Sequence, residues 1–332
     1  MRKFTGRLII YLLSILLLTG ETGCIHTYPK GEPDDPTLVT ASLSLTLDIS
    51  LSHVGEPTNT PLELPGGLYR FLITVSRENR NEVNFVTTHR IAGGSIQDVT
   101  VTLPALLKQG KHEVTVWCDL VESVNETPLH YNADNLSAIS ILPFTEGVTA
   151  TPAKLAPPLC ACTAREIDLR GAGRSVTVPL SLTPPIGMIR IEATDAAVFL
   201  RHYPEAAFSA DAYTATLAFT SPVGCTYNIF SGHPAAYTSG YEVASSLLIT
   251  ETSSPVILNI PVFPDPEGED LTADLIIYDK ARQIVARTKG ITIPVMPDRT
   301  CVVRGEFLSN FFESPLKVEF EWEGEIIIDH KQ

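Results

Sequence analysis

A two-residue repeat constrains the fold of this chain more than any other feature. Apolar side chains fill every second position of one segment, with small or acidic polar residues between them: Leu43, Leu45, Leu47, Ile49 and Leu51. Successive side chains of a β-strand point to opposite faces, so this alternation predicts a strand with one buried face. The same pattern returns at 69–75, 114–120 and 176–182. The chain is therefore predicted to consist mainly of β-strands.

Turn signals separate these runs, and few stretches compete as helices. Pro61–Gly67, Gly93–Ser95 and Pro264–Glu269 are typical of turns or loops. Short strands without long helices between them favour antiparallel β-sandwiches over a parallel sheet. Later strands are predicted at 186–194, 213–220, 247–250, 256–263, 271–278, 283–287, 301–308, 317–322 and 325–329, and a short helix or loop at 195–203.

A domain boundary is predicted at Thr183-Pro184-Pro185, because consecutive prolines cannot continue a central strand. The predicted domains are an N-terminal β-sandwich at 37–183 and a C-terminal β-sandwich at 184–332. Each has about 150 residues, an ordinary domain size. No internal sequence repeat is strong enough to identify the two domains as duplicates.

The N-terminus is typical of a lipoprotein signal peptide at residues 1–23. Arg2, Lys3 and Arg7 precede the apolar run Leu8–Leu18, and small residues precede Cys24. Cleavage before Cys24 would allow lipid attachment to its thiol and to the new amine, the multi-chain attachment that stable anchoring needs. Glu21 departs from the aliphatic residue usual at that position. Ordinary secretion with an incidental cysteine is the alternative.

Residues 24–36 are predicted to be a flexible tether. Ile25–Pro36 holds three prolines and four charges without apolar periodicity. The apolar run of the signal is too short to span a bilayer. We therefore expect a lipid-anchored protein whose folded body lies outside the cytoplasm. The pair Asp34 and Asp35 could help surface export, although a solvated linker is the favoured interpretation.

Charge and cysteine content exclude several classes of protein. The net charge is −14, and removing residues 1–23, which carry three basic residues and one acidic residue, gives −14 − 2 = −16. Such an acidic surface does not suit nucleic acid or anionic lipid. Five cysteines remain after acylation of Cys24, an odd number that argues against a disulfide framework. Cys160 and Cys162 are too close on one strand for an ordinary bridge, and a structural role is favoured over metal binding.

No pattern indicates catalysis. The eight histidines lack the spacing of a helical zinc site, and no nucleophile elbow or P-loop occurs. The acidic turn Asp265–Asp270 could offer oxygen ligands to calcium, but it lacks the spacing of a dedicated calcium loop and is interpreted as a solvated turn. We expect no enzyme activity, no metal and no cofactor apart from the covalent lipid.

Several motifs together resemble a known family. In chain order they are CIHTYP from Cys24, HEVTVWCDL from His112, HYNADNLSAISI from His130, RTCVVRGEFL from Arg299 and EWEGEIIID from Glu321. Their order resembles that of the FimB-type fimbrial subunit family, the anchor and accessory lipoproteins of Bacteroidota type V pili. The resemblance implies two Greek-key, transthyretin-like antiparallel β-sandwiches and fimbrial structural subunits as partners. It also implies a place at the base of a fimbria on the cell surface, where the lipid holds the polymer to the outer membrane.

The resemblance also implies a role for the first strand. Stalk subunits of such pili lose that strand by cleavage after a basic residue and accept a strand from another subunit, whereas an anchor is expected to keep it. The corresponding strand here is Leu43–Leu51, whose alternating leucine and isoleucine side chains are candidate subunit contacts. No lysine or arginine occurs between Lys30 and Arg70. This spacing favours an anchor over a stalk subunit.

Two alternatives remain at the level of sequence. Tip and stalk subunits share the predicted fold, and lipidated β-sandwiches also bind surface glycans. Glycan binding needs exposed aromatic side chains, and Trp117 and Trp322 lie on predicted strands where either could be exposed. Buried packing is the favoured interpretation for both. Only Asp329 and then His330, Lys331 and Gln332 follow the apolar run Ile326–Ile328, so the pairing of the C-terminal end stays open.

Overall fold

A computed structural model of the protein describes residues 37–48, 67–90, 96–122, 125–142, 160–249, 254–309, 311–312 and 319–323. β-strands dominate these residues, in agreement with the two-residue repeat. In this part of the chain, no helix combines the length and apolar character that crossing a membrane requires.

The N-terminal half, up to residue 182, contains ten strands. They are β1 (Leu38–Asp48), β2 (Gly67–Arg77), β3 (Arg80–His89), β4 (Ile96–Thr102), β5 (Leu107–Lys108), β6 (Lys111–Glu122), β7 (Tyr131–Asn132), β8 (Ile139–Ile141), β9 (Cys160–Asp168) and β10 (Ser175–Leu182). One sheet has the order β10-β1-β4, with β5 also paired to β1, and the facing sheet has the order β3-β2-β6-β9.

The core of this half lies between the two sheets. One face of β1 packs against alternate residues of β2 and β6 and against the ends of β9 and β10. These residues are the ones that the alternation predicted to point inward. The buried cluster includes Leu43, Leu45, Leu47, Phe71, Ile73, Val75, Val114, Val116, Leu120, Leu180 and Leu182.

The C-terminal half contains eleven strands and one helix. They are β11 (Gly187–Ala193), α1 (Ala196–His202), β12 (Tyr213–Phe219), β13 (Val223–Asn228), β14 (His233–Thr238), β15 (Glu242–Ser246), β16 (Val256–Val262), β17 (Glu269–Asp279), β18 (Ile284–Val295), β19 (Arg299–Gly305), β20 (Phe311–Phe312) and β21 (Glu319–Glu323). A short 3-10 helix, Pro204–Ala207, follows α1.

Two sheets also enclose the core of this half. Their orders are β16-β11-β19-β21 and β15-β12-β17-β18-β20. Helix α1 closes the core at one end through Phe199, which is fully buried. The helix is held from its first turn by Asp195, whose carboxylate accepts hydrogen bonds from the backbone N–H groups of Phe307, Leu308 and Ser309 at 2.8–3.2 Å. The chain after β19 is thereby fixed to the start of α1.

The two halves share one strand arrangement, although the sequence shows no repeat. In each half the first strand lies inside a sheet, antiparallel to one neighbour and parallel to a late strand of the same half. The parallel pairs are β1 with β10 and β11 with β19. Sheet order in the second layer corresponds as well, since β3-β2-β6-β9 matches β15-β12-β17-β18.

A fifth sheet joins the halves, with the order β14-β13-β8-β7. Strand β8 of the N-terminal half pairs antiparallel with β13 of the C-terminal half at Ser140–Thr226 and Ile139–Tyr227. Main-chain bonds therefore run directly between residues on either side of the proposed boundary at Thr183. The bounds 37–183 and 184–332 stay a prediction.

Most of the predicted strands that fall within the described residues are confirmed, with two corrections. Residues 247–249 of the predicted strand 247–250 form no strand, because the Leu247 and Ile249 N–H groups bond singly to the Tyr213 and Ala206 carbonyls. The Leu247 and Ile249 side chains are buried, whereas that of Leu248 is exposed. Three strand pairs are parallel, a relation that alternation within a strand cannot reveal. The all-β sandwich prediction holds, and the predicted strand 325–329 lies outside the described residues.

Candidate functional site: the first strand and the junction

Strand β1 is paired along both sides. Thr40–Leu47 pairs parallel with Ser175–Leu182 of β10, and Ser42–Asp48 pairs antiparallel with Ile96–Thr102 of β4. A central strand of this kind leaves neither of its own edges open for another chain. Access to its position in the sheet would require β1 to leave.

The two faces of β1 differ as its sequence predicts. Leu43, Leu45 and Leu47 are buried in the core. On the opposite face, the Ser42 and Thr102 hydroxyl oxygens lie 3.0 Å apart, and the Thr46 hydroxyl donates to an Asp98 carboxylate oxygen at 2.6 Å. Because a shift of register by one residue would place the leucines on the polar face, the alternation fixes the register of β1.

The predicted site residues fall partly on this strand. Leu43, Leu45 and Leu47 are brought together on its inner face, while Ile49, Leu51 and the lipidation residue Cys24 lie outside the described residues. The three leucines touch the core of their own sandwich, so a contact with another subunit through them would require strand exchange. Their role as subunit contacts stays a prediction.

Arg70 is the first basic residue after Lys30, and it lies in the middle of β2. Its guanidinium makes a bidentate pair with Asp119 of β6, with Nε–Oδ1 at 2.9 Å and Nη2–Oδ2 at 2.6 Å. The Asp119 side chain is fully buried and that of Arg70 is only 11% exposed. A protease that cuts after basic residues therefore has no target between residues 31 and 69, and its next target is inside a paired strand.

Two opposing effects act on the pKa of Asp119. Burial raises the pKa of this carboxyl above its ordinary value, whereas hydrogen bonding and charge attraction from Arg70 lower it. The bidentate geometry is that of a guanidinium with an ionised carboxylate. The positive charge of Arg70 and the negative charge of Asp119 thus balance each other on the face of β6 that points away from the N-terminal core.

That face of β6 belongs to a second cluster, here called the junction core. It consists of the buried residues Trp117, Tyr131, Ala133, Ile139, Ile141, Cys160, Cys162, Ile186, Met188, Tyr227, Ile229 and Phe263. Trp117 is fully buried and packs edge-on against Tyr131, with ring centroids 5.5 Å apart. The favoured prediction of buried packing is confirmed for Trp117, which is no glycan platform.

Close backbone approach also holds the junction core. A side-chain carbon at Gly224 of β13 would lie 2.1 Å from the Phe263 carbonyl oxygen, so only glycine fits there. Phe263 in turn stacks on Tyr227, with ring centroids 5.4 Å apart. Sequence analysis missed this cluster because its members come from both predicted domains. The signal that could have indicated it is the apolar content of both faces of 114–121, which a strand with a solvated face would lack.

The described cysteines are free thiols, as the odd count suggested. Cys160 and Cys162 face the junction core, where burial raises the pKa of both thiols, that of Cys162 to about 12. Cys118 faces the N-terminal core instead. Thiols with such raised pKa values are weak nucleophiles and weak metal ligands.

The acidic turn Asp265–Asp270 is held by local contacts. In the acidic turn after β16, the Asp265 carboxylate accepts the Glu267 N–H at 3.1 Å and lies 3.5 Å from His233 Nδ1. Among the described residues, no group of three or more His, Cys, Asp or Glu side chains has a geometry that could hold a metal ion.

Among the strands that end a sheet, β3 and β14 carry mostly exposed or half-buried residues. Strand β3 ends the order β3-β2-β6-β9, and β14 ends the order β14-β13-β8-β7. β14 is largely solvent-exposed and carries no formal charge. Charged residues commonly protect natural edge strands against pairing with other chains, and β14 relies on Pro234 and an irregular register instead.

A family of proteins matches nearly the whole chain. The model of DUF6562, a family of unknown function, matches residues 36–332. No curated protein matches the chain.

Three solved structures are similar at low identity. A candidate cell adhesion protein from Bacteroides ovatus ATCC 8483 is 14% identical, with 88% of this chain and 99% of that chain covered and a TM-score of 0.45. A fimbrial assembly protein from Parabacteroides distasonis ATCC 8503 is 10% identical, with 86% and 96% covered and a TM-score of 0.40. The tip fimbrial protein Mfa3 from Porphyromonas gingivalis, with C-terminal truncation, is 8% identical, with 85% and 98% covered and a TM-score of 0.41.

Proposed function

We propose that this chain, which belongs to the DUF6562 family of unknown function, is a FimB-type fimbrial subunit held on the outer membrane by a lipid on Cys24. In this role it anchors or terminates a surface polymer and performs no catalysis. Its partners are fimbrial structural subunits, which it meets through strand pairing. The tether 24–36 gives the folded body clearance from the membrane.

The pairing of β1 along both sides is the observation that supports an anchor most directly. The strand is paired on both sides, and its leucines fill the core. A protease specific for basic residues finds no site in residues 31–69, and Arg70 is held in the Asp119 ion pair. Removal of β1 would therefore require prior unfolding of the sandwich. A subunit that keeps β1 also keeps its covalent path to Cys24.

The joint to the polymer is proposed at an exposed sheet edge rather than in the β1 groove. Strand addition at an edge supplies main-chain hydrogen bonds, and side-chain pockets supply selectivity. With β1 in place the groove is filled, and the terminal strands β3 and β14 are the edges proposed for such pairing.

The variant Cys24→Ala tests the lipid anchor. We expect the protein to leave the membrane fraction while its melting temperature is unchanged, because the thiol is remote from both cores in sequence. Cys225→Ala is the matched control, since it also removes one thiol but leaves the lipid site, and it should stay with the membrane. If the Cys24→Ala variant remained in the outer-membrane fraction, the anchor assignment would be wrong.

Mass spectrometry of the native protein separates an anchor from a processed subunit. An anchor begins at acylated Cys24 and contains every residue of β1. A mature chain that begins after Arg70 would identify a tip or stalk subunit with an opened groove.

Glycan binding is the second candidate function. Among the residues whose burial is described, three aromatic side chains of the C-terminal half are exposed: Phe208 at 77%, Phe230 at 58% and Tyr237 at 46%. Aromatic faces on a lipidated surface protein can stack on sugar rings. A glycan array tests this candidate, and binding that Tyr237→Ala or Phe230→Ala removes would favour it over the fimbrial role.

A further inference from the structure

We propose that β1 and β10 form a mechanical clamp. Tension on the tether loads the main-chain hydrogen bonds between the two strands in shear, and the clamp thereby resists extraction of β1 from the folded body. The proposal rests on the proposed function in one respect, that tension reaches the body through the residues before Leu38. The rest follows from the direction and register of the two strands.

The parallel register places the two load points at opposite ends of the pair. The pair begins at Thr40–Ser175, where the tether enters, and ends at Leu47–Leu182, where β10 continues through Thr183 into the C-terminal half. Tension between the tether and the C-terminal half therefore pulls β1 and β10 in opposite directions along their common axis.

Contacts at the tether end support this geometry. The Gln109 N–H donates to the Thr37 carbonyl at 2.8 Å, and the Gln109 side chain donates to the Ala172 carbonyl at 2.9 Å. The Thr40 N–H donates to the Arg174 carbonyl at 2.9 Å. The start of β1 thus lies beside the loop that precedes β10, at the end of the sandwich away from the junction core.

Shear and peeling load a strand pair differently. When two strands are pulled along their axis from opposite ends, all the hydrogen bonds between them carry the force together. When they are pulled apart from the same end, the bonds break one at a time. β4 adds a second row of bonds along β1, so axial extraction must break both rows at once.

The exit side of the clamp is firmly joined to the body. Thr183 and Cys162 exchange two main-chain hydrogen bonds, at 2.9 and 3.0 Å. The Asp298 N–H donates to the Ile186 carbonyl at 2.8 Å just beyond the prolines. Tension that leaves β10 therefore passes into the junction core and not into a free linker.

The C-terminal half repeats the device. β11 receives the chain from Thr183 at its first residue and pairs parallel with β19 from Gly187–Arg299 to Ala193–Gly305. The chain leaves β19 at the opposite end, where Asp195 fixes Phe307–Ser309. Load that leaves after β19 would shear this second pair as well.

Single-molecule pulling in two directions tests the clamp on one strand. The unlipidated mature chain, with Cys24→Ala and Cys225→Ser, carries one handle at its N-terminus. The second handle is Ala281→Cys for axial loading, or Gly173→Cys for peeling from the tether end. Ala281 lies in an exposed turn of the C-terminal half, and a side chain at Gly173 meets no atom within 4 Å.

We expect the first rupture to need at least about twice the force under axial loading at equal loading rate, because forced unfolding is set by the height of the unfolding barrier. In both directions that event should release residues 38–66, a contour length on the order of 100 Å. Equal rupture forces in the two directions would overturn the proposal.

A pair of proline variants gives a second test. Thr40→Pro removes the bond to Arg174 at the start of the clamp, at a position without a β4 partner. Thr220→Pro removes a comparable bond to Thr272 at the end of β12. Both cost thermal stability, but only Thr40→Pro should lower the axial rupture force. Equal forces for the two variants would contradict the clamp.

These measurements need no membrane and no polymer. Equal rupture forces in a protein that stays with the membrane would refute the clamp and leave the proposed anchor role intact. A higher axial force in a protein that carries no lipid would refute the anchor role and leave the clamp intact.

Discussion

The ion pair of Arg70 and Asp119 shows how single residues of this protein serve more than the local strand. A charged pair on β2 and β6 would normally face water, yet here the Asp119 side chain is fully buried. Each partner compensates the charge of the other, and the two strands are joined on the face that also holds Trp117. The pair also removes Arg70 from the reach of proteases.

Neutralising Asp119 should be more harmful than removing the whole pair. Asp119→Asn leaves the Arg70 charge buried and uncompensated, which we expect to lower the free energy of unfolding by about 3–5 kcal/mol. The double variant Arg70→Met/Asp119→Leu should lose less. Urea unfolding of the single and double variants measures both, and a double variant less stable than Asp119→Asn would contradict this account of the pair.

Buried thiols are the second residue-scale feature. Burial raises the pKa of Cys162 to about 12, so the folded protein keeps this thiol protonated at a pH where the unfolded chain ionises it. Stability from this source is complete below the ordinary thiol pKa of about 8.5. It declines as pH rises through the range between the two pKa values.

The free energy of unfolding of the variant Cys162→Ala should therefore depend less on pH in the alkaline range. We expect the decline in the free energy of unfolding between pH 9 and pH 12 to be smaller than in the wild type by up to about 4 kcal/mol, at roughly 1.4 kcal/mol for each unit of pKa. Urea unfolding at a series of pH values measures the difference. Parallel pH curves for the two proteins would refute it.

At the scale of elements, β1 connects the sequence pattern to the proposed function. Its inner face supplies the layer of leucines that faces β2 and β6, while its outer hydroxyls bond to β4. The strand is thus as much a part of the core as any later strand, although it lies next to the tether.

Truncation on the inner face of β1 should destabilise the sandwich. Leu45→Ala leaves a cavity in the N-terminal core, and we expect a loss of about 2–5 kcal/mol. Ser44→Ala, one residue away on the opposite face, should change stability by about 0.5 kcal/mol or less. Thermal and urea unfolding measure both, and similar losses in the two variants would show that β1 is not a core strand.

The same strand shows what sequence can and cannot predict. Alternation within a segment depends only on local chemistry, so β1, β2, β6 and β10 were predictable from one strand at a time. The choice of β10 as a parallel neighbour depends on a partner about 130 residues away and leaves no local signal. The inner-face leucines were predictable as a buried set, but their neighbours were not.

At the scale of the molecule, the junction core joins the two sandwiches. Trp117 and Tyr131 come from one half, and Tyr227 and Phe263 from the other. The shared sheet adds main-chain bonds between β8 and β13. Because the junction core and the shared sheet both join the halves, we expect the halves to unfold together.

The variant Trp117→Ala should uncouple them. Removing a fully buried indole costs about 3–5 kcal/mol, and here the loss falls on contacts between the halves. Calorimetry should resolve two transitions in place of one. Ile73→Val, within the N-terminal core, is the control and should lower the melting temperature without splitting the transition. A single transition in Trp117→Ala would show that the junction core does not couple the halves.

The shared sheet also limits how such a protein can change over generations. A sandwich that ends at a plain linker can be exchanged between genes as a module. Here, exchange of either half would separate β7 and β8 from β13 and β14, the strands with which they form the shared sheet. Strands β7 and β8, which carry Tyr131 and Ile139, pack against Tyr227 and Phe263 of the other half. Substitutions on one side therefore select for substitutions on the other, and the two halves are inherited as a matched pair.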